Sequence, residues 1–140
     1  MRGQLDEATR LYQESLRIEP SAEAHTFLGW TYSFKGDLER AIEECKAAIE
    51  VDPDFGNPYN DIGAYMIELG RPDEAIPWLK RAMEAARYAS PQFPHMNLGR
   101  IYEAKGLLAD AAREYQAAIE IEPGYDIAWH GLGRIRSKLN

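Results

Sequence analysis

A period of 34 residues is the feature that most restricts how this chain folds. Shifted by that amount, Gly29 falls on Gly63 and Gly99 on Gly133. Tyr32 then meets Met66, and Tyr102 meets Arg136. Ala41-Cys45-Ala48 falls on Ala75-Leu79-Ala82, Ala111-Tyr115-Ala118 is a further copy, and Ala8-Tyr12-Ser15 is an earlier one. Pro20, Pro53 and Pro123 close three of the units. Self-similarity at such a period marks a solenoid, in which each unit is one supersecondary element that buries its apolar face only against its neighbours.

The physical roles of the repeated positions follow from size. A glycine inside a helix costs ~1 kcal/mol against alanine, so close contact must recover that. Here it lets the two helices of a unit, A and B, approach closely. Ala41, Ala75 and Ala111 supply the small partner surface on helix B. The large residue four places later (Cys45, Leu79, Tyr115) sits one turn on along the same face, and Ala48, Ala82 and Ala118 face the next unit. Proline ends helix B, since it has no N–H and clashes with the preceding turn.

These positions resemble the tetratricopeptide repeat family over essentially the whole chain. The family's Trp/Leu/Gly/Tyr places read His25-Leu28-Gly29-Tyr32, Tyr59-Ile62-Gly63-Met66, His95-Leu98-Gly99-Tyr102 and Trp129-Leu132-Gly133-Arg136. The resemblance implies an all-α fold, a right-handed α–α superhelical solenoid of antiparallel helix pairs with about eight helices. The units expected are a half repeat 1–21, repeats 22–55, 56–91 and 92–125, and a half repeat 126–140.

In order, residues 4–18 read as a lone helix B, with Gly3 ending a turn and Asp6 and Glu7 at the positive end of the helix dipole. Helices are expected at 22–35, 38–51, 56–69, 72–87, 92–105, 107–121 and 125–139. The third unit departs from the pattern. Gly63 to Gly99 is 36 residues and Arg87 stands where a closing proline belongs, so residues 87–91 hold two extra positions. A longer helix or a wider loop is expected there. Pro77, in a second helical turn, should bend or loosen its helix, and Pro91 should start the next one.

No chemistry of an enzyme is legible. His25 and His95 occupy packing places on helix A, there is no His-x-x-x-His or Cys-x-x-Cys pair to suggest a metal, and the glycines fall at repeat positions rather than in a phosphate loop. No cofactor is expected. The single cysteine, Cys45, reads as a small buried hydrophobe. Of the net charge of −7, residues 1–91 carry all, with 10 Lys+Arg against 17 Asp+Glu; residues 92–140 hold six of each. An acidic body does not suit a phosphate backbone, so no nucleic-acid partner is expected. No run of about 20 apolar residues exists to span a membrane, and the first residues lack the apolar core of a signal peptide. A cytoplasmic setting is the expectation.

The resemblance places helix A on the concave face, where the family's peptides usually bind. Carried over by position, the groove residues are Trp30 and Phe34 from the second unit, Asn60 and Ile67 from the third, Phe93, Met96, Asn97 and Arg100 from the fourth, and His130 and Arg134 from the last helix. One end is aromatic and acidic, the other basic. The expected function is a non-enzymatic scaffold for an extended peptide or partner helix, with apolar anchors near Trp30 and an acidic group near Arg100 and Arg134. Asn60 and Asn97 are expected to bond a peptide backbone. The family's clamp for chaperone tails is not expected, because Thr26/Trp30 or Asn60/Ala64 stand at its first pair and Ile127 and Gly131 replace its last bases. The chain opens on a helix B and closes on a helix A, with Asn140 where an A-to-B turn should begin. Two readings follow: a segment of a longer array, or a homo-oligomer joining head-to-tail through the terminal helices.

Overall fold

The structure, a computed structural model, describes residues 2–139, which form eight α-helices and no strand. They are α1 (Arg2–Ile18), α2 (Ala22–Phe34), α3 (Leu38–Val51), α4 (Asn57–Glu68), α5 (Pro72–Glu84), α6 (Gln92–Ala104), α7 (Leu108–Ile121) and α8 (Asp126–Leu139). Met1 and Asn140, and with Asn140 the expected start of a further turn, lie outside the described residues. Among the described residues no helix is long and apolar enough to cross a membrane.

Local chemistry sets the helix ends. Ser21 and Asp37 cap α2 and α3, accepting from the N–H groups of Ala24 and Arg40 at 3.0 and 3.3 Å, and so satisfy donors that the first helical turn leaves open. Pro72 sits in the first turn of α5, where no N–H is needed. Each A-to-B turn repeats one geometry. The N–H groups of Asp37, Arg71 and Leu107 donate to the carbonyls of Tyr32, Met66 and Tyr102 at 2.8–2.9 Å. This six-to-one closure needs a left-handed residue just before it, and Gly36, Gly70 and Gly106 supply it at φ +84°, +75° and +78°.

Helices α2, α4, α6 and α8 are the A helices and touch one another in succession, while α1, α3, α5 and α7 touch only A helices. That arrangement is an all-α superhelical solenoid, as expected. The small residues work as their sizes require. Ala41, Ala48, Ala75, Ala82, Ala111 and Ala118 are fully buried, and so is Cys45; burial pushes the Cys45 thiol well up, leaving it protonated packing. A Cβ on Gly63 would run into Leu79, and one on Gly99 would lie 2.7 Å from Tyr115 Cε1. Gly133 meets nothing, since no helix B follows α8 among the described residues; Gly131 faces the preceding unit, where a Cβ would lie 2.5 Å from Tyr115 Cζ. The Tyr115 ring is thus held between α6 and α8. One buried cluster gathers around Leu28, Ile62, Leu79 and Leu98, another around Tyr115, Leu132 and Ile135, and Tyr102 packs against both.

Two local expectations are corrected, at Gly3 and at the end of α5, expected at residue 87; the continuity of α5 through Pro77 and the wider loop after it accord with the sequence. Gly3 lies inside α1 rather than ending a turn, so Asp6 falls beyond the first turn; it instead meets Lys35 Nζ at 2.6 Å, tying α1 to the first A-to-B turn. Pro77 does not interrupt α5. The helix stops at Glu84, and the extra residues become the wider loop, which straps back over the preceding corner. Arg87 N–H donates to Asp54 O at 2.9 Å, and Gly56 N–H donates to Arg87 O at 3.0 Å. Arg87 also pairs with Asp52 at 2.7 Å and Glu23 at 3.1 Å. Tyr88 presses on Gly56, where a Cβ would come within 2.5 Å of it.

The histidines at the first repeat place do more than fill space. His25 Nδ1 lies 2.7 Å from Glu44 Oε2, and His95 Nδ1 lies 2.7 Å from Glu114 Oε2, each joining helix A to helix B of one unit. In the third unit the same two places hold Tyr59 and Trp78, whose rings pack 6.3 Å apart.

Candidate functional site

The contiguous A helices give the molecule an inner face, and the side chains on it fall into two regions. At the first end, Trp30 and Phe34 are half-exposed, with ring centroids 4.3 Å apart. They lie one turn apart on α2 and cover each other, leaving outer ring faces to solvent. Phe27, one turn earlier, stacks on Tyr12 of α1 at 5.6 Å. Below these rings a cavity of about 330 Å³ is lined by Tyr12, Thr26, Phe27, Trp30, Asn57 and Asp61. Asp61 is its one acid, and burial pushes that carboxyl up to about 7.

At the other end a broader depression of about 840 Å³ lies among Ile67, Arg100, Glu103, Arg134 and Lys138, reaching the turn at Gly70 and Pro72. Arg100 and Arg134 do stand together there, as the repeat spacing implies. Their electrostatic states differ. Arg134 Nε and Nη2 donate to the two oxygens of Glu103 at 2.8 and 3.0 Å, a two-pronged contact. Lys138 Nζ lies 3.8 Å from the same carboxylate, and Tyr115 Oη donates to it at 2.7 Å. The Arg134 hydrogen bonds, with those of Tyr115, hold Glu103 down at about 2. Arg100 has no carboxylate partner among the described residues and is exposed.

The remaining groove residues separate. Ile67 lines the larger depression. Phe93 is turned edge-on to Tyr125 at 5.8 Å, at the corner between α7 and α8. His130 is exposed but lines neither hollow. Asn60, Met96 and Asn97 are buried rather than presented. Asn97 Nδ2 donates to Asn60 Oδ1 at 3.1 Å, so the two amides expected to hold a peptide backbone hold α4 to α6 instead. Three further groups matter here, two of them at groove places by sequence position and one, Tyr12, outside that rule. Glu103 sits at a groove place and has a visible cue, an acid one turn on from Arg100 and 31 residues before Arg134. Tyr12 lies on a helix B, which the positional rule excludes from the groove. Asp61, like Glu103, stands at a groove place of its unit in the sequence, but nothing in its spacing shows that it is left without a partner.

A stack of helix pairs with small residues at the seams and mixed aromatic and charged groups along the inner face defines a helical-repeat scaffold. Residues 22–55, 58–88 and 93–125 match family profiles described as Tetratricopeptide repeat, and the chain belongs to that family. Tetratricopeptide repeat protein 6 of Homo sapiens is 28% identical over 135 residues, covering 93% of this chain and 25% of that protein. The chain therefore spans about a quarter of the length of that relative. The crystal structure of MamA superimposes with a TM-score of 0.82 at 27% identity, over 98% of this chain and 80% of that one. The first repeat domain of Spaghetti (RPAP3), bound to the HSP90 peptide SRMEEVD, shares the fold with a TM-score of 0.78 at 21% identity, over 85% and 93% of the two chains.

Proposed function

We propose that this chain is a protein-interaction scaffold whose units, 22–55, 56–91 and 92–125 with the flanking helices, bind an extended peptide or partner helix along the inner face. The observation that carries this reading is the inner face itself. Half-exposed Trp30 and Phe34 lie at one end, and the guanidinium of Arg100, with no carboxylate partner among the described residues, lies in the broad depression at the other. An exposed aromatic pair offers large contact area at low entropic cost, and an open arginine in a concave surface receives a carboxylate well. A structure of the same fold is bound to a peptide, which supports a peptide as the class of ligand. The ligand's acidic group sits against Arg100, with Arg134 at the rim. Ile67 lines the same depression as Arg100, and Phe93 and His130 are assigned to the groove by repeat position alone. Asn60, Met96 and Asn97 belong to the wall beneath.

The test is fluorescence anisotropy with a labelled peptide that has a leucine-rich end and a glutamate-rich end. Arg100→Ala with Arg134→Ala removes two donors and also leaves Glu103 un-neutralised by Arg134. A charge-assisted hydrogen bond is worth ~1.5–3 kcal/mol, so affinity should fall at least about tenfold. Unchanged binding removes the proposed polarity of the groove.

A further inference from the structure

The smaller hollow has a chemistry that an apolar anchor does not fit. Its walls are the rings of Tyr12, Phe27 and Trp30, with Asn57 and Thr26 beside them, and Asp61 is the sole charged group in the lining. No lysine or arginine lines it, and the Asp61 carboxylate has no hydrogen bond or ion pair with any described residue. That is unlike the other inner-face acid, Glu103, which is held by Arg134, Lys138 and Tyr115. Asp61 is half-buried; a carboxylate partly withdrawn from water without a partner is destabilising, and when such a group lies in a cleft it marks a candidate functional position. An apolar side chain entering the hollow would desolvate it further with nothing in return. A cation reverses that balance.

We propose that this hollow receives an arginine side chain of the bound peptide, with the guanidinium against the faces of Trp30 and its neighbouring rings and hydrogen-bonded to Asp61. The inference rests on the groove reading above and gives the ligand a polarity: basic at the α2 end, acidic at the α6–α8 end. Arginine fits better than lysine because its flat, delocalised cation stacks on aromatic faces and meets a carboxylate with two parallel donors. At about 330 Å³ the hollow is at the small end of ligand pockets, a size for one side chain rather than a cofactor. The surrounding charge points the same way, since residues 1–91 carry 17 acids against 10 bases and so attract a cation.

The experiment is an NMR titration read at the indole N–H of Trp30, assigned by comparison with Trp30→Phe. The probes are n-butylguanidinium and the neutral n-pentanol. The guanidinium should give a saturating shift that n-pentanol does not. Asp61→Asn keeps the shape and removes only a buried charge, and it should weaken the guanidinium about tenfold or more. Equal response to both probes, no response to either, or full affinity in Asp61→Asn would overturn the assignment. Because the probe is not a peptide, these outcomes are separate from the acidic-peptide titration, and either test is able to fail without the other.

Discussion

Tyr115→Ala should melt the last three helices well before the rest of the chain. The ring is fully buried and meets Gly99 on one helix and Gly131 on another, while its hydroxyl donates to Glu103. Removing a buried aromatic costs ~3–5 kcal/mol through lost transfer energy and the cavity left behind. In a domain of this size that is a fall on the order of 10–20 °C in Tm. The loss should be local at first, because repeat stacks hold together through nearest-neighbour contacts. Hydrogen exchange should therefore quicken at Leu132 and Ile135 more than at Leu28. Tyr115→Phe separates the two contributions: it keeps the ring, loses one hydrogen bond to a carboxylate, and should cost less than half as much. If the alanine and phenylalanine variants melt alike, the ring is not what couples α6 to α8.

Asp61→Asn should have the opposite sign, a stabilisation that depends on pH. Burial raises the Asp61 carboxyl from 3.8 to about 7. The folded state therefore holds this proton more tightly than the unfolded state does. Its contribution is fully present below pH ~4, is lost as pH rises through 7, and is flat above that. A rise of that size corresponds to at most roughly 4 kcal/mol at the alkaline plateau, reduced by the solvent that still reaches the half-buried side chain. The asparagine variant lacks this loss, so its advantage over the parent should be largest near pH 8 and vanish near pH 4. The titratable neighbours coupled to Asp61 are Cys45, Tyr65 and Tyr88, all pushed upward by burial and by the same carboxylate, and so neutral across that range. Glu103, held low by Arg134, has the reverse dependence, its contribution being lost only as pH falls toward 2. The difference between variant and parent isolates Asp61. A constant difference from pH 4 to 8 would contradict the burial of its charge. That such a carboxylate is kept on the inner face at a cost in stability is what a ligand-binding role would explain.

The fold was legible because its constraints are steric and local. Gly63 opposite Leu79 and Gly99 opposite Tyr115 must be small whatever surrounds them, and such needs recur at every unit. The A-to-B turns need a left-handed residue, and Gly36, Gly70 and Gly106 stand there in the sequence. What was not legible depends on contacts between units. Gly131, which is not at the repeated glycine place, meets Tyr115 across the seam between successive units. The insertion after α5 was visible as two extra residues, but its pairing with Asp54 and Gly56 was not, since a loop's backbone partners leave no periodic trace.

The groove was half legible for the same reason. Position within the repeat placed Trp30, Phe34, Arg100 and Arg134 on the inner face. It did not tell which of them are already engaged. Asn60 and Asn97 satisfy each other across α4 and α6, and Glu103 takes Arg134. Both pairings join residues more than thirty apart in sequence, and whether two such side chains meet depends on the superhelical pitch. The same limit hid the unpaired state of Asp61, which stands at a groove place by its spacing but lacks a partner because of its surroundings.

Ligands are expected to bind on the A-helix face, and the most direct test is backbone NMR of the chain with a peptide selected against it from a displayed random library. The largest shifts should fall at Trp30, Ile67, Arg100 and Arg134, with little change at outward-facing Arg81 and Arg113. Shifts centred instead on α5, where the Arg81 guanidinium lies 4.8 Å from the Trp78 ring, would place recognition on the B helices and contradict binding along the inner face.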